Sequence, residues 1–148
     1  MPKVKEVLAR KGHQVATIGP GETALEAARQ MSRRMIGSLV VLRGETVVGI
    51  VTERDILRKM VVEQRDPAST PVEQIMSCPV AVCSPEMELG EVSNIMTNRR
   101  IRHLPVVSEG RMRGIVTIGD VLAHRIDQQE VTIQYLHEYL YSPPTPHG

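Results

Sequence analysis

The chain contains itself twice. Residues 15–60 align with residues 80–125 at a constant offset of 65 without a gap, and 15 of the 46 positions are identical. The matches include Pro20/Pro85, Met31/Met96, Arg34/Arg99, Ile36/Ile101, Leu39/Leu104 and Val41/Val106. Gly49-Ile50-Val51-Thr52-Glu53-Arg54-Asp55 repeats almost unchanged as Gly114-Ile115-Val116-Thr117-Ile118-Gly119-Asp120. Upstream, Val4-Lys5-Glu6-Val7 matches Val72-Glu73-Gln74-Ile75 at an offset of 68, so the first copy carries about three extra residues near Lys11-Gly12-His13. A unit this small cannot bury a sheet face alone. Two copies facing each other can, and the joint between them becomes a pseudo-twofold pair of clefts.

Each copy reads as β-α-β-β-α, an α/β (α+β) pattern. A short strand (Val15-Ala16-Thr17-Ile18 or Val80-Ala81-Val82-Cys83) precedes a helix whose apolar face recurs as Ala24, Ala27, Met31 and as Leu89, Val92, Met96. Ser84-Pro85-Glu86 reads as a helix start, with Ser as N-cap and Pro at the first helical position. Arginines close both helices, where cations suit the negative end of the dipole. Two apolar strands follow, joined at Gly44 or Gly110 as a hairpin. A second helix starts at Thr52 or Thr117. The spacing predicts repeat 1 over 1–60, a Pro-containing linker over 61–71, and repeat 2 over 72–126. A helical extension follows over 127–141, with Leu122, Ile126, Ile133, Leu136 and Leu140 near one face, and then a flexible tail over 142–148.

Composition narrows the function classes. Apolar residues make up 41% and charged residues 24%, with a net charge of +1, as in an ordinary folded domain. Aromatics are 2% of the chain, with no Phe or Trp. The core is therefore aliphatic, with the eight Met as filler. Single-stranded nucleic acid, which stacks its bases on aromatic faces, is disfavoured as a partner. No apolar run reaches the ~18 residues of a bilayer span, and Met1–Glu6 has no secretory apolar stretch. Cys78 and Cys83 are too few for a disulfide framework or a zinc site, so a reducing cytoplasm fits best and no metal is expected. Gly19-Pro20-Gly21 lacks the Lys-Ser/Thr ending of a phosphate loop, and His137-Glu138 lacks the second His of a metalloprotease motif. His13, His124 and His137 read as ordinary surface histidines. No nucleophile–base pair or acid pair stands at useful spacing, so the chain does not read as an enzyme.

Thr52-x-x-Asp55 and Thr117-x-x-Asp120 carry two readings. Threonine with an acid three residues on, at a strand-to-helix junction, is a capping box that satisfies free N–H groups. A carboxylate at a helix start can instead accept two hydrogen bonds from a vicinal diol such as ribose, beside N–H groups able to hold a phosphate. Gly49 and Gly114 precede the two motifs and permit close approach of a backbone or a ligand.

The duplicated pattern, with Gly-Ile-Val-Thr-x-x-Asp ending each copy and Arg100-Ile101-Arg102-His103-Leu104-Pro105-Val106-Val107 in the second, resembles a tandem pair of CBS (cystathionine-β-synthase) domains, a Bateman module. The resemblance covers residues ~1–126. It implies two repeats packed through their sheets, a disc-like homodimer, and adenine nucleotides (AMP, ADP, ATP, NAD or S-adenosylmethionine) in the clefts; it does not imply catalysis. By position, it assigns cleft 1 to Thr52, Arg54, Asp55, Val80, Ala81, Cys83, Arg102 and His103. Asp55 would hold the ribose, the backbone near Cys83 would read the adenine edge, and Arg102 and His103 would meet the phosphates. Cleft 2 receives Val15, Ala16, Ile18, Gly37, Ser38, Thr117, Gly119 and Asp120. Gly37 and Ser38 stand there in place of Arg102 and His103, so cleft 2 is expected to lack a side-chain cation. The implied function is a stand-alone regulatory module that senses an adenylate and alters a separate effector protein in trans. The alternative is a structural or interaction module with vestigial clefts.

Overall fold

The computed structural model describes residues 2–141. It is a mixed α+β molecule with two small sheets, as the repeat pattern leads one to expect. In the first half, α1 (Val4–Lys11), β1 (Thr17–Ile18), α2 (Ala24–Arg34), β2 (Ser38–Arg43) and β3 (Thr46–Thr52) are followed by α3 (Glu53–Asp55), which continues as a wider-turned π-helix over Ile56–Val61. A 3-10 turn over Val72–Gln74 leads into the second half, with α4 (Leu89–Arg99), β4 (His103–Ser108), β5 (Arg111–Thr117) and α5 (Ile118–Tyr141).

The first sheet has the order β1-β2-β3, with β1 parallel to β2 and β3 antiparallel to it. The second is the hairpin β4-β5. The registers are equivalent: Leu39 faces Val51 as Leu104 faces Val116, and each hairpin is irregular one step after Val41 or Val106. The expected strand Val80–Cys83 shrinks to a single parallel bridge between Cys83 and Val106.

The Ser84-Pro85-Glu86 helix start is also displaced. Ser84–Met87 closes a turn, Met87 N–H to Ser84 O at 3.2 Å, and α4 begins at Leu89 after Glu88 without a side-chain cap. In the first copy the cap is conventional: Thr23 Oγ1 accepts from Glu26 N–H at 3.1 Å. The segment read as a linker is anchored rather than loose. Thr70 O and Pro67 O accept from the N–H groups of Ala24 and Leu25, at 2.8 and 3.1 Å, and so satisfy the start of α2.

Two cores form, and each borrows from the other half of the chain. Val4 and Leu8 of α1 lie in one core with Leu89, Val92, Met96, Leu104, Val106 and Val116. Val72 and Ile75 lie in the other with Ala24, Ala27, Met31, Leu39, Val41 and Val51. The leading segments thus cross over, each covering the opposite repeat. Gly49 and Gly114 make this crossing possible. A Cβ on Gly114 would stand 2.7 Å from Leu8 Cδ2, and one on Gly49 would collide with Met76. Both glycines admit an aliphatic side chain of the protein itself, not a ligand.

Candidate ligand-binding cleft

Both Thr-x-x-Asp motifs are capping boxes. Thr52 N–H and Oγ1–H donate to Asp55 Oδ2 at 3.0 and 3.2 Å, and Asp55 N–H returns to Thr52 Oγ1 at 3.3 Å. Thr117 and Asp120 repeat the pattern at 2.8, 3.2 and 3.3 Å. The surroundings of the two carboxylates differ. Asp55 is buried, and its Oδ1 takes Ser77 Oγ at 3.0 Å and the Lys59 ammonium at 3.4 Å. Lys59 Nζ is tied in turn to Ile75 O at 2.9 Å. Asp120 keeps an 18% exposed side chain and meets Lys11 Nζ at 2.8 Å.

A cavity of about 460 Å³ opens on the Thr117 side, a size typical of small-molecule sites. Its apolar wall comes from Val15, Ala16, Ile36, Ile115 and Ile118, and its polar wall from Gln14, Gly37, Ser38, Arg102, His103, Thr117 and Gly119. Both repeats contribute, which fits a cleft at their joint. The loop before β1 supplies Val15 and Ala16, and Ala16 O is fixed by Val40 N–H at 3.1 Å. The approach to β2 supplies Gly37 and the buried Ser38. Arg102 O accepts from Ile118 N–H at 2.9 Å, which sets Arg102 beside the start of α5. The cross-strand pair His103–Thr117 completes the floor.

Of the residues assigned to cleft 2, Val15, Ala16, Gly37, Ser38, Thr117 and Gly119 line this cavity. Ile18 does not: it is 4% exposed and packs in the first core. Asp120 lies one residue beyond the lining, held by Lys11. Arg102 and His103, assigned to cleft 1, line this same cavity. Its wall therefore carries the side-chain cation that positional matching of Gly37 with Arg102 had denied it. The reason is geometric. Arg102 O is bonded to Ile118 N–H as Gly37 O is bonded to Glu53 N–H, at 3.0 Å, so both pairs sit at the joint and face each other across it.

The other cleft 1 residues do not line the cavity. Arg54 is exposed and Ala81 packs against the second core. Cys83 is buried there too, and burial pushes its thiol up to about 12, far from a reactive thiolate. Its backbone is already spent, with Cys83 N–H on Pro105 O and Val107 N–H on Cys83 O, both at 2.9 Å.

One side of the cavity carries the Arg102 guanidinium. Burial holds the His103 imidazole below its ordinary range; the Arg102 and Lys11 charges lower it further, and Glu53 opposes them. A neutral ring beside a guanidinium is suited to an anion. Lys11 was missed by motif reasoning, along with Gln14, Ile36, Ile115 and Ile118. The insertion in copy one was the available signal. That insertion brings Lys11 Nζ to Ile115 O at 2.9 Å and His13 Nδ1 to within 3.0 Å of Arg113 O, docking the loop on repeat 2. Among the described residues no cluster of His, Cys, Asp and Glu could hold a metal ion, and no helix is long and apolar enough to cross a membrane.

A duplicated unit with crossed leading segments and a cavity at the joint defines a paired-domain module. The particular family follows from comparison: the CBS domain model matches residues 4–62 and 72–127, and the chain belongs to the CBS-domain family. It is 33% identical over 129 residues to the CBS domain-containing protein YhcV of Bacillus subtilis, covering 87% of this chain and 89% of that one. A putative signal-transduction protein with CBS domains from Burkholderia ambifaria superposes with a TM-score of 0.82 at 35% identity, covering 86% and 96% of the two chains. The CBS domain structure NE2398 gives 0.80 at 36%, covering 84% and 98%.

Proposed function

We propose that the chain is a sensor of adenine nucleotides (AMP, ADP, ATP or NAD) that acts in trans on a separate effector protein. The observation that carries this reading is the cavity shared by both repeats, with an aliphatic wall on one side and Arg102, Thr117 and the start of α5 on the other. The apolar wall suits a base, and the Arg102 guanidinium suits a phosphate. Asp120 stands one residue away and can take a ribose diol if Lys11 yields. The reading assigns binding rather than catalysis, in a reducing compartment such as the cytoplasm, by a homodimer. Asp55, enclosed by Ser77 and Lys59, favours one ligand per chain over two.

Calorimetric and thermal-shift titration with AMP, ATP and NAD of protein freed of carried-over ligand tests this. One binding event per chain is expected, and ligand at 100 times its Kd should add roughly 2.7 kcal/mol to stability. If none of the three shifts the transition, the sensor reading fails. The vestigial-cleft reading, in which the outer surfaces do the work, then takes its place.

A further inference from the structure

We propose that Lys11 competes with the ligand's sugar for Asp120, and so sets how strongly the cleft prefers a ribonucleotide over its 2′-deoxy counterpart. The proposal rests on the sensor reading above, whose failure the experiment below separates from its own. At the offset of 65 between the copies, Lys59 of the first corresponds to His124 of the second. Lys59 pairs with Asp55 from one turn away on its own helix. With histidine at that place, Asp120 takes its cation from the other repeat: Lys11, beside the insertion that only the first copy carries.

The two oxygens of Asp120 are loaded unequally. Oδ2 accepts from Thr117 N–H at 2.8 Å, from Thr117 Oγ1–H at 3.2 Å and from Lys11 Nζ at 2.8 Å. Among the described residues none donates to Oδ1, whereas Oδ1 of Asp55 holds both Ser77 and Lys59. A carboxylate oxygen has two lone pairs, so Oδ2 is full while Lys11 stays. One sugar hydroxyl can take Oδ1 with Lys11 in place. The second hydroxyl of a vicinal diol needs Oδ2, and reaches it only when the ammonium leaves. A 2′-deoxy sugar keeps a single ring hydroxyl and asks nothing of Lys11.

Lys11 is placed to yield. Its side chain is 30% exposed, it lies in neither core, and its flexible stem can turn the ammonium out to water. Its other bond, Nζ to Ile115 O at 2.9 Å, sets it at the rim of the cavity, since Ile115 lines the wall. His13, bonded to Arg113 O, keeps the loop docked on repeat 2 when the ammonium swings away. An ion pair this exposed is worth up to about fivefold in an equilibrium. That is the preference for ribose that Lys11 takes from the cleft.

Calorimetric titration of the full chain with AMP and with 2′-deoxy-AMP reads the effect as a ratio of the two affinities. Base and phosphate are common to both ligands, so the pull of the Lys11 charge on them cancels. Lys11→Met and Lys11→Gln are each expected to raise the preference for AMP about fivefold over the wild type. Adding Asp120→Ala to either should abolish the rise, which closes the double-mutant cycle. A ratio unmoved or lowered by the loss of Lys11 overturns the proposal, while AMP binding leaves the sensor reading standing. A raised ratio that survives Asp120→Ala overturns it too, because the second hydroxyl then meets another group. If neither nucleotide binds wild type or variants, the sensor reading and this proposal fall together.

Discussion

The two capping boxes share a sequence and a hydrogen-bond pattern, yet they are held in opposite ways. Asp55 is enclosed from its own side of the joint by Ser77 and Lys59, while Asp120 is partly open and held by one lysine from the insertion. A duplicated motif can therefore keep its local role in both copies and leave only one copy free to do more. The stability cost of losing each carboxylate breaks or sharpens this comparison most directly. Asp55→Ala removes a cap, strands Ser77 and leaves the Lys59 charge without its partner. The loss should be about 3 kcal/mol, the low end for a buried pair, because Lys59 can partly reach water. Asp120→Ala removes a cap and a partly exposed ion pair, and should cost about 1 kcal/mol. Urea unfolding measures both. Equal losses would mean that the two sites are equivalent after all.

The next largest effect concerns the ligand. A guanidinium donating to a phosphate contributes about 1.5–3 kcal/mol, so Arg102→Ala should weaken AMP binding roughly 10- to 100-fold and leave adenosine binding nearly unchanged. Asp55→Ala protein that still folds should bind AMP as the wild type does. If Asp55→Ala abolishes AMP binding while Arg102→Ala leaves it intact, the ligand occupies the enclosed side and the comparison between the two sites reverses.

The architecture was legible because the repeat is written in local patterns: the apolar steps of Ala24, Ala27 and Met31, the hairpins, and the threonine caps. The crossing of α1 and of Val72–Ile75 was not. Nothing in Val4, Leu8, Val72 or Ile75 says which core receives them, since burial is non-directional and Leu8 meets Gly114, 106 residues away, only in three dimensions. Thr117 and Gly119 were assigned to the cleft by the family resemblance, and they sit at a helix start fixed by local bonds. The grouping of Arg102 with them was not legible, because positional matching separates two residues that a pseudo-twofold axis brings together. The backbone pairing of Cys83 was hidden for a related reason. Its backbone partners, Pro105 and Val107, belong to a strand 22 and 24 residues further on.

The smallest effect expected is a titration. His103 is held below its ordinary range by burial, with Arg102 and Lys11 adding to it. A folded-state value below the unfolded one means that the unfolded chain binds more protons. Stability contributed by the neutral ring is therefore full above the unfolded value near 6.5 and is lost as pH falls below it. A phosphate entering beside Arg102 would bring negative charge to the ring and raise its pKa, so binding should draw in part of a proton near pH 6.5. Calorimetry of AMP binding in two buffers of different ionisation enthalpy measures this uptake. The phosphate's own proton contributes in this range as well, but it contributes in His103→Gln too, so the difference between the proteins isolates the ring. Wild type should take up more protons than His103→Gln. Equal uptake would mean that the anion does not sit beside His103, and that the open side of the joint holds its ligand in some other orientation.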